Sequence, residues 1–142
     1  MPRDEVLVAD ILRYARQAER AAAGLTAADL EANPDRQSMV LWPLIVLGEA
    51  AAHVSDAFRQ AHPGIPWRRM VGLRNVLIHD YSGVDMAAVA EVVENHLPDL
   101  IQRLELLGLS EDTLRAMSAG AFYQRSLEAI SPDRRQSGSV PM

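Results

Sequence analysis

Neither cysteine nor lysine occurs anywhere in the 142 residues. The first absence excludes disulfides, cysteine-ligated zinc and thiol nucleophiles. The second excludes Schiff-base lysine chemistry and the lysine of a phosphate-binding P-loop. All fourteen cationic side chains are therefore arginines, whose flat guanidinium favours two-pronged contacts with phosphate or carboxylate over diffuse point charge. Long apolar runs are missing too. The longest, Met39 to Gly48, is interrupted by Pro43 and stopped by Glu49, well short of the roughly 18–20 residues of a membrane span. Met1-Pro2-Arg3-Asp4-Glu5 leads into an amphipathic stretch rather than an apolar signal core. With no lipidation signal either, a cytoplasmic location and no membrane partner are expected. The net charge of −5 argues against indiscriminate coating of nucleic acid but leaves room for a local basic site.

What is present is helical periodicity. With 49% hydrophobic and 23% charged residues, the chain has an ordinary folded composition and a length that buries a core without staples. Leu7, Ile11, Tyr14 and Ala18 step by four, three and four, predicting a first helix from Asp4 to Ala23 that ends at Gly24. Thr26 opens an N-cap signal, so a short second helix should run to Asn33, before Pro34. Leu44, Leu47, Ala51, Val54, Phe58 and Ala61 form the seam of a third helix. Pro43 either starts that helix or kinks a longer one beginning near Asp35. Gly48 inside it points to the close approach of another helix. The stiff connector His62-Pro63-Gly64-Ile65-Pro66 precedes a fourth helix from Trp67 to His79, which breaks at Asp80-Tyr81-Ser82-Gly83. A fifth carries Val89, Val93, Leu97, Leu100, Leu104 and Leu107 on one stripe, and Pro98 should bend it by displacing the Glu94 carbonyl. Alternating strand patterns are absent. The expected fold is all-α, an antiparallel bundle of four to five main helices spanning residues 1–109. Residues 110–142 read as an extension. Ser110 is placed to cap one further helix, Phe122 to Ile130 can form another, and a polar, disordered tail is expected from Ser131.

Charge is unevenly spread. From Ala57 to His79 there is no acidic residue, yet Arg59, Arg68, Arg69 and Arg74 lie there with His62 and His79. Such a segment is either a solvated face or an anion site. Helix geometry places Arg74 among Met70, Leu73, Leu77 and Ile78 on the apolar side of its helix. A guanidinium there needs a partner, because an unpaired buried charge is costly. Glu49 is the best carboxylate candidate and Asp56 the next; an anionic ligand is the alternative. His79 lies about 140° around an ideal helix from Arg74, so the two share a site only if the helix ends there or a second chain contributes. His53 and His96 have no second histidine at i+3 or i+4, so neither a metal nor another cofactor is expected. Trp42 and Trp67 read as core or interface anchors, with base stacking by Trp67 as an alternative.

The run Arg74-Asn75-Val76-Leu77-Ile78-His79-Asp80-Tyr81 resembles the R-x4-H-x-Y motif of the HEPN superfamily, specifically its HepT-like toxins. Gly48-Glu49-Ala50-Ala51, Phe58-Arg59, His62 through Trp67, Gly72-Leu73-Arg74-Asn75 and Gly83-Val84-Asp85 extend the resemblance, which covers Asp4 to Leu107. The apolar tract Leu41-Trp42-Pro43-Leu44-Ile45 departs from it, since many family members carry polar residues there. The resemblance implies a homodimeric, metal-independent endoribonuclease, the toxin of a type VII toxin–antitoxin pair. Its partner would be an MNT-type nucleotidyltransferase antitoxin that silences it by adenylylation (AMPylation). Carried onto this chain, Arg74 and His79 are the catalytic pair in a cleft between protomers and Tyr81 is the modified residue.

A neutral imidazole can take the proton of the RNA 2′-hydroxyl, and an imidazolium can protonate the leaving oxygen. An arginine can hold the phosphate oxygens between its two prongs. Asn75, Asp80 and Glu49 are supporting candidates, although Asn75 and Asp80 also fit as helix-end hydrogen bonders. Arg59, Arg68 and Arg69 are candidate RNA contacts. If Tyr81 has no such role, its ring should pack against Trp67 or Phe58. The rival function is a catalytically idle HEPN module acting as regulatory partner of the nucleotidyltransferase.

Overall fold

The computed structural model describes residues 2–109; the expectations for residues 110–142 lie outside them. Helix α1, Pro2–Ala22, buries Leu7, Val8, Ile11, Leu12, Ala15 and Ala18 along one stripe. It stops at Gly24, whose φ of 76° suits a residue without a Cβ. Helix α2, Ala27–Ala32, starts on a reciprocal cap: Thr26 Oγ1 accepts from the Asp29 N–H, and Asp29 Oδ2 accepts from the Thr26 N–H. Hydrogen bonding by the Thr26 N–H, and then by its side chain, holds the Asp29 carboxyl below its ordinary range. Helix α3, Pro34–His53, begins on an Asn33 side-chain cap and runs through Pro43. The longer of the two expected helices is therefore the one that forms.

The seam continuing to Ala61 is corrected by the structure. Helix α3 ends at His53, with Val54 extended after it, and a separate short helix α4, Asp56–Ala61, starts on Ser55. The break is imposed from a distance. Asp4, buried at the start of α1, accepts from both the Ser55 N–H (2.8 Å) and its hydroxyl (2.7 Å), while Ser55 Oγ accepts from the Phe58 N–H. Burial alone would push the Asp4 carboxyl up, but the two Ser55 bonds outweigh it and hold it below the ordinary range.

Helix α5, Trp67–His79, follows the proline-rich connector, and a 3₁₀ turn, Tyr81–Gly83, follows α5. Helix α6, Met86–Glu91, starts on an Asp85 side-chain cap. The single fifth helix expected from the pattern is helical from Met86 to Glu105, but its middle turn is not α-helical. A π-helical turn, Val92–His96, separates α6 from α7, Leu97–Glu105. Pro98 has no N–H for the Glu94 carbonyl, and the chain absorbs the missing bond by widening the preceding turn rather than by a simple bend.

Helix α3 is the centre of the bundle, packed by α1 on one side and α5 on the other, while α7 lies against α1 and α2 against α6. Contacts at opposite ends make both α1–α3 and α3–α5 antiparallel: Asp4 meets Ser55, and Ser38 meets Tyr81. The chain is all-α, with no strand among the described residues. None of its described helices is long and apolar enough to cross a membrane.

Candidate functional site

The site grows from the place where α3 and α5 cross. A Cβ on Gly48 would lie 2.6 Å from the Met70 carbonyl and would overlap the Arg74 Cβ. Glycine therefore lets the two backbones approach, as its position in the sequence suggested, and the stem of Arg74 lies directly on α3. This places Arg74 beside Glu49: Nε is 3.3 Å from Glu49 Oε2. The Nε hydrogen is buried without an aligned acceptor among the described residues, so the contact is one of charge rather than a hydrogen bond. The side chain of Arg74 keeps 24% of its surface exposed, and its terminal amino groups are not among the buried, unpartnered atoms.

The other Glu49 oxygen lies 3.0 Å from His53 Nε2. Glu49 thus stands between a guanidinium and an imidazole. Sequence reasoning found the Glu49–Arg74 pair but missed His53. The signal was its four-residue spacing from Glu49, which looking only forward along the helix overlooked. Among the described residues no group of three or more histidine, aspartate or glutamate side chains is arranged to hold a metal ion.

His79 is the last residue of α5 and exposed. The helix ends there because Asp80 turns to φ −137°, ψ 48° while its N–H still reaches the Val76 carbonyl. The Asp80 carboxylate folds over Gly83, where a Cβ would sit 2.5 Å from Oδ1. Asn75 is exposed on α5. The Tyr81 phenol donates to Ser38 Oγ at 3.0 Å, tying the 3₁₀ turn to the first half of α3 with the ring 45% exposed. The alternative packing of Tyr81 against Trp67 or Phe58 is not found. Those two rings pair with each other edge-on at 6.0 Å.

The other candidate arginines do not gather around Arg74. Arg59 Nη2 donates to the Ala51 carbonyl at 2.7 Å, satisfying the C-terminal end of α3. Arg68 is exposed. Arg69 borders a largely apolar cavity of about 560 Å³ between α3, the connector, α5 and α7. Trp67 is buried, with Nε1 donating to the His62 carbonyl at 3.0 Å, so its ring is closed to base stacking. The exposed tryptophan is Trp42.

Comparisons with known proteins point to one family. A putative RNase of Methanocaldococcus jannaschii is 37% identical over 68 residues, 48% of this chain and 62% of that protein. A probable ribonuclease HepT of Thermococcus cleftensis is 38% identical over 71 residues, 50% of this chain and 64% of that protein. An mRNA nuclease HepT of Shewanella oneidensis is 40% identical over 40 residues, 28% of this chain and 30% of that protein. The chain thus spans less than two thirds of the length of these relatives. No solved structure matches it at a significant level. A family profile described as Ribonuclease HepT-like matches residues 11–107, which is more than half of the 142; the chain belongs to the HepT-like family of the HEPN superfamily.

Proposed function

We propose that this protein is a metal-independent endoribonuclease toxin whose bundle, residues 1–109, carries the activity. The observation that carries this is Arg74, pinned at its Nε by Glu49 on α3 and five residues before an exposed His79 at the end of α5. An arginine fixed at its stem presents its terminal prongs without the entropy loss of ordering a free side chain.

The 2′-oxygen of RNA attacks the adjacent phosphorus and its proton passes to a neutral His79 imidazole. The P–O5′ bond breaks, and an imidazolium, the partner subunit's His79, gives its proton to the leaving 5′-oxygen. Arg74 holds the non-bridging oxygens as their charge grows. The products are a 2′,3′-cyclic phosphate and a 5′-hydroxyl. Dimerisation is part of this proposal, because a two-fold seam brings two copies of the set together.

Tyr81 is the proposed regulatory residue. A nucleotidyltransferase that transfers AMP from ATP to its phenol, releasing pyrophosphate, would add a negative charge and a bulky base beside Arg74. A cytoplasmic location fits such a pair.

The test is cleavage of RNA by purified protein in EDTA, wild type against His79→Ala. The wild type should yield cyclic-phosphate ends and the variant should lose at least about a hundredfold in rate. Equal cleavage by both would remove the nuclease assignment. With the nucleotidyltransferase, ATP and magnesium, the mass should rise by AMP units, and Tyr81→Phe should abolish the rise.

A further inference from the structure

The cleft between the second half of α1 and the first half of α3 has no role in the chemistry above. It has a volume of about 540 Å³ and is lined by Gln17, Arg20, Ala21, Arg36, Ser38, Met39 and Trp42. No acidic residue lines it, in a chain whose net charge is −5. Neither Arg20 nor Arg36 forms an ion pair among the described residues. Trp42 exposes 54% of its surface at the rim, although an indole is among the most favourable groups to bury. A flat exposed ring, two unpaired guanidinia, and an amide with a hydroxyl are the parts that hold a nucleotide: a platform for the base, charge for the phosphates and polar groups for the sugar.

The cleft is also continuous with the candidate site. Ser38 lines it and accepts the Tyr81 phenol at 3.0 Å, and Tyr81 lies two residues beyond His79. From these features we infer that the α1–α3 cleft is a substrate subsite that takes one or two nucleotides of a single-stranded RNA, stacking a base on Trp42 and pairing phosphates with Arg20 and Arg36. The inference deepens and rests on the ribonuclease function proposed above. It moves the RNA contacts away from Arg59, which is committed to the end of α3, and Arg69, which faces the apolar cavity. An apolar partner surface would leave the two guanidinia without a counter-charge. That is why RNA is preferred as the occupant.

The experiment separates binding from cleavage. A single-stranded RNA oligonucleotide is titrated into His79→Ala protein at several salt concentrations, following tryptophan emission. RNA should quench the exposed indole. Adding Trp42→Ala should weaken binding about 5- to 100-fold, and Trp42→Phe should restore most of it, since a stacking face remains. Adding Arg20→Ala with Arg36→Ala should lower the salt slope by about 0.7 per arginine. In the otherwise wild-type protein, Trp42→Ala should raise KM far more than it lowers kcat.

Cleavage by the wild type with binding and KM unmoved in all the cleft variants would overturn the subsite and leave the ribonuclease assignment standing. Cleft-dependent RNA binding without cleavage would support the subsite and count against the nuclease alone. If Trp42→Ala converts a dimer to monomers in light scattering, and RNA affinity falls only with that dissociation, the cleft is an interface between copies and the inference fails.

Discussion

Asp10 is the residue most at odds with its surroundings. It lies on α1 with 2% exposure, and its Oδ2 has no hydrogen-bond partner among the described residues. Burial pushes its carboxyl from 3.8 to about 6, with Arg13 only partly opposing the shift. A carboxyl raised on folding is a liability once ionised. Below pH 4 both states are protonated and nothing is lost. Between pH 4 and 6 the unfolded chain ionises first and stability falls, and above pH 6 the full penalty of roughly 3 kcal/mol applies. Asp10→Asn should therefore raise the urea midpoint at pH 8 and leave it unchanged near pH 4. A gain of equal size at both pH values would show that charge burial is not the cause. At this scale, Arg74 with Glu49 was legible because the period of α5 placed a charge among apolar residues and only a few carboxylates lay within reach. Asp4 with Ser55 was not, because the two are 51 residues apart and neither has a local pattern that names the other. Trp42 lies off the Leu44-Leu47-Ala51 seam and is exposed, so of its two readings, core or interface anchor, it is not the core one.

The α3–α5 crossing governs the geometry of the site at the level of elements. Replacing Gly48 by alanine improves helix propensity by about 1 kcal/mol. The added methyl, however, meets the Met70 carbonyl at 2.6 Å and the stem of Arg74, and overpacking of this kind costs about 1–3 kcal/mol. Gly48→Ala should lower the denaturation midpoint and depress RNA cleavage, by moving Arg74 relative to Glu49. An unchanged midpoint would mean that the helices separate freely and that the close approach matters little. The elements themselves were largely readable, since α1, α2 and α5 follow their caps and periods to within a residue or two. The interruptions were harder. Val54 and Phe58 keep a four-residue step across the α3–α4 break, so the seam looks unbroken although the backbone is not. The π-helical turn left a trace that passed for an ordinary stripe: Val89, Val93 and Leu97 step by four and four, slower than the 3.6 residues of an α-helix.

For the whole molecule, the open question is how many chains complete one site. The family and the all-α class could be read from the Arg74-to-Tyr81 motif and the helical stripes. A partner chain leaves no periodicity in a sequence, which records only one side of an interface. The proposed mechanism draws one imidazole from each protomer, so mixing wild-type with excess His79→Ala protein should silence the wild-type chains as subunits exchange, because a mixed dimer holds a single imidazole. Mixed dimers that keep about half of the wild-type rate would confine each site to a single chain. The Tyr81 phenol has one proton, and that proton is given to Ser38. Any acyl, phosphoryl or nucleotidyl ester formed on this oxygen consumes it, so the latch between the 3₁₀ turn and α3 cannot survive the bond that is made there. A chemical mark at Tyr81 would thus do more than occupy space: it would unfasten the loop that carries it, and faster amide exchange across Tyr81–Gly83 would be its signature.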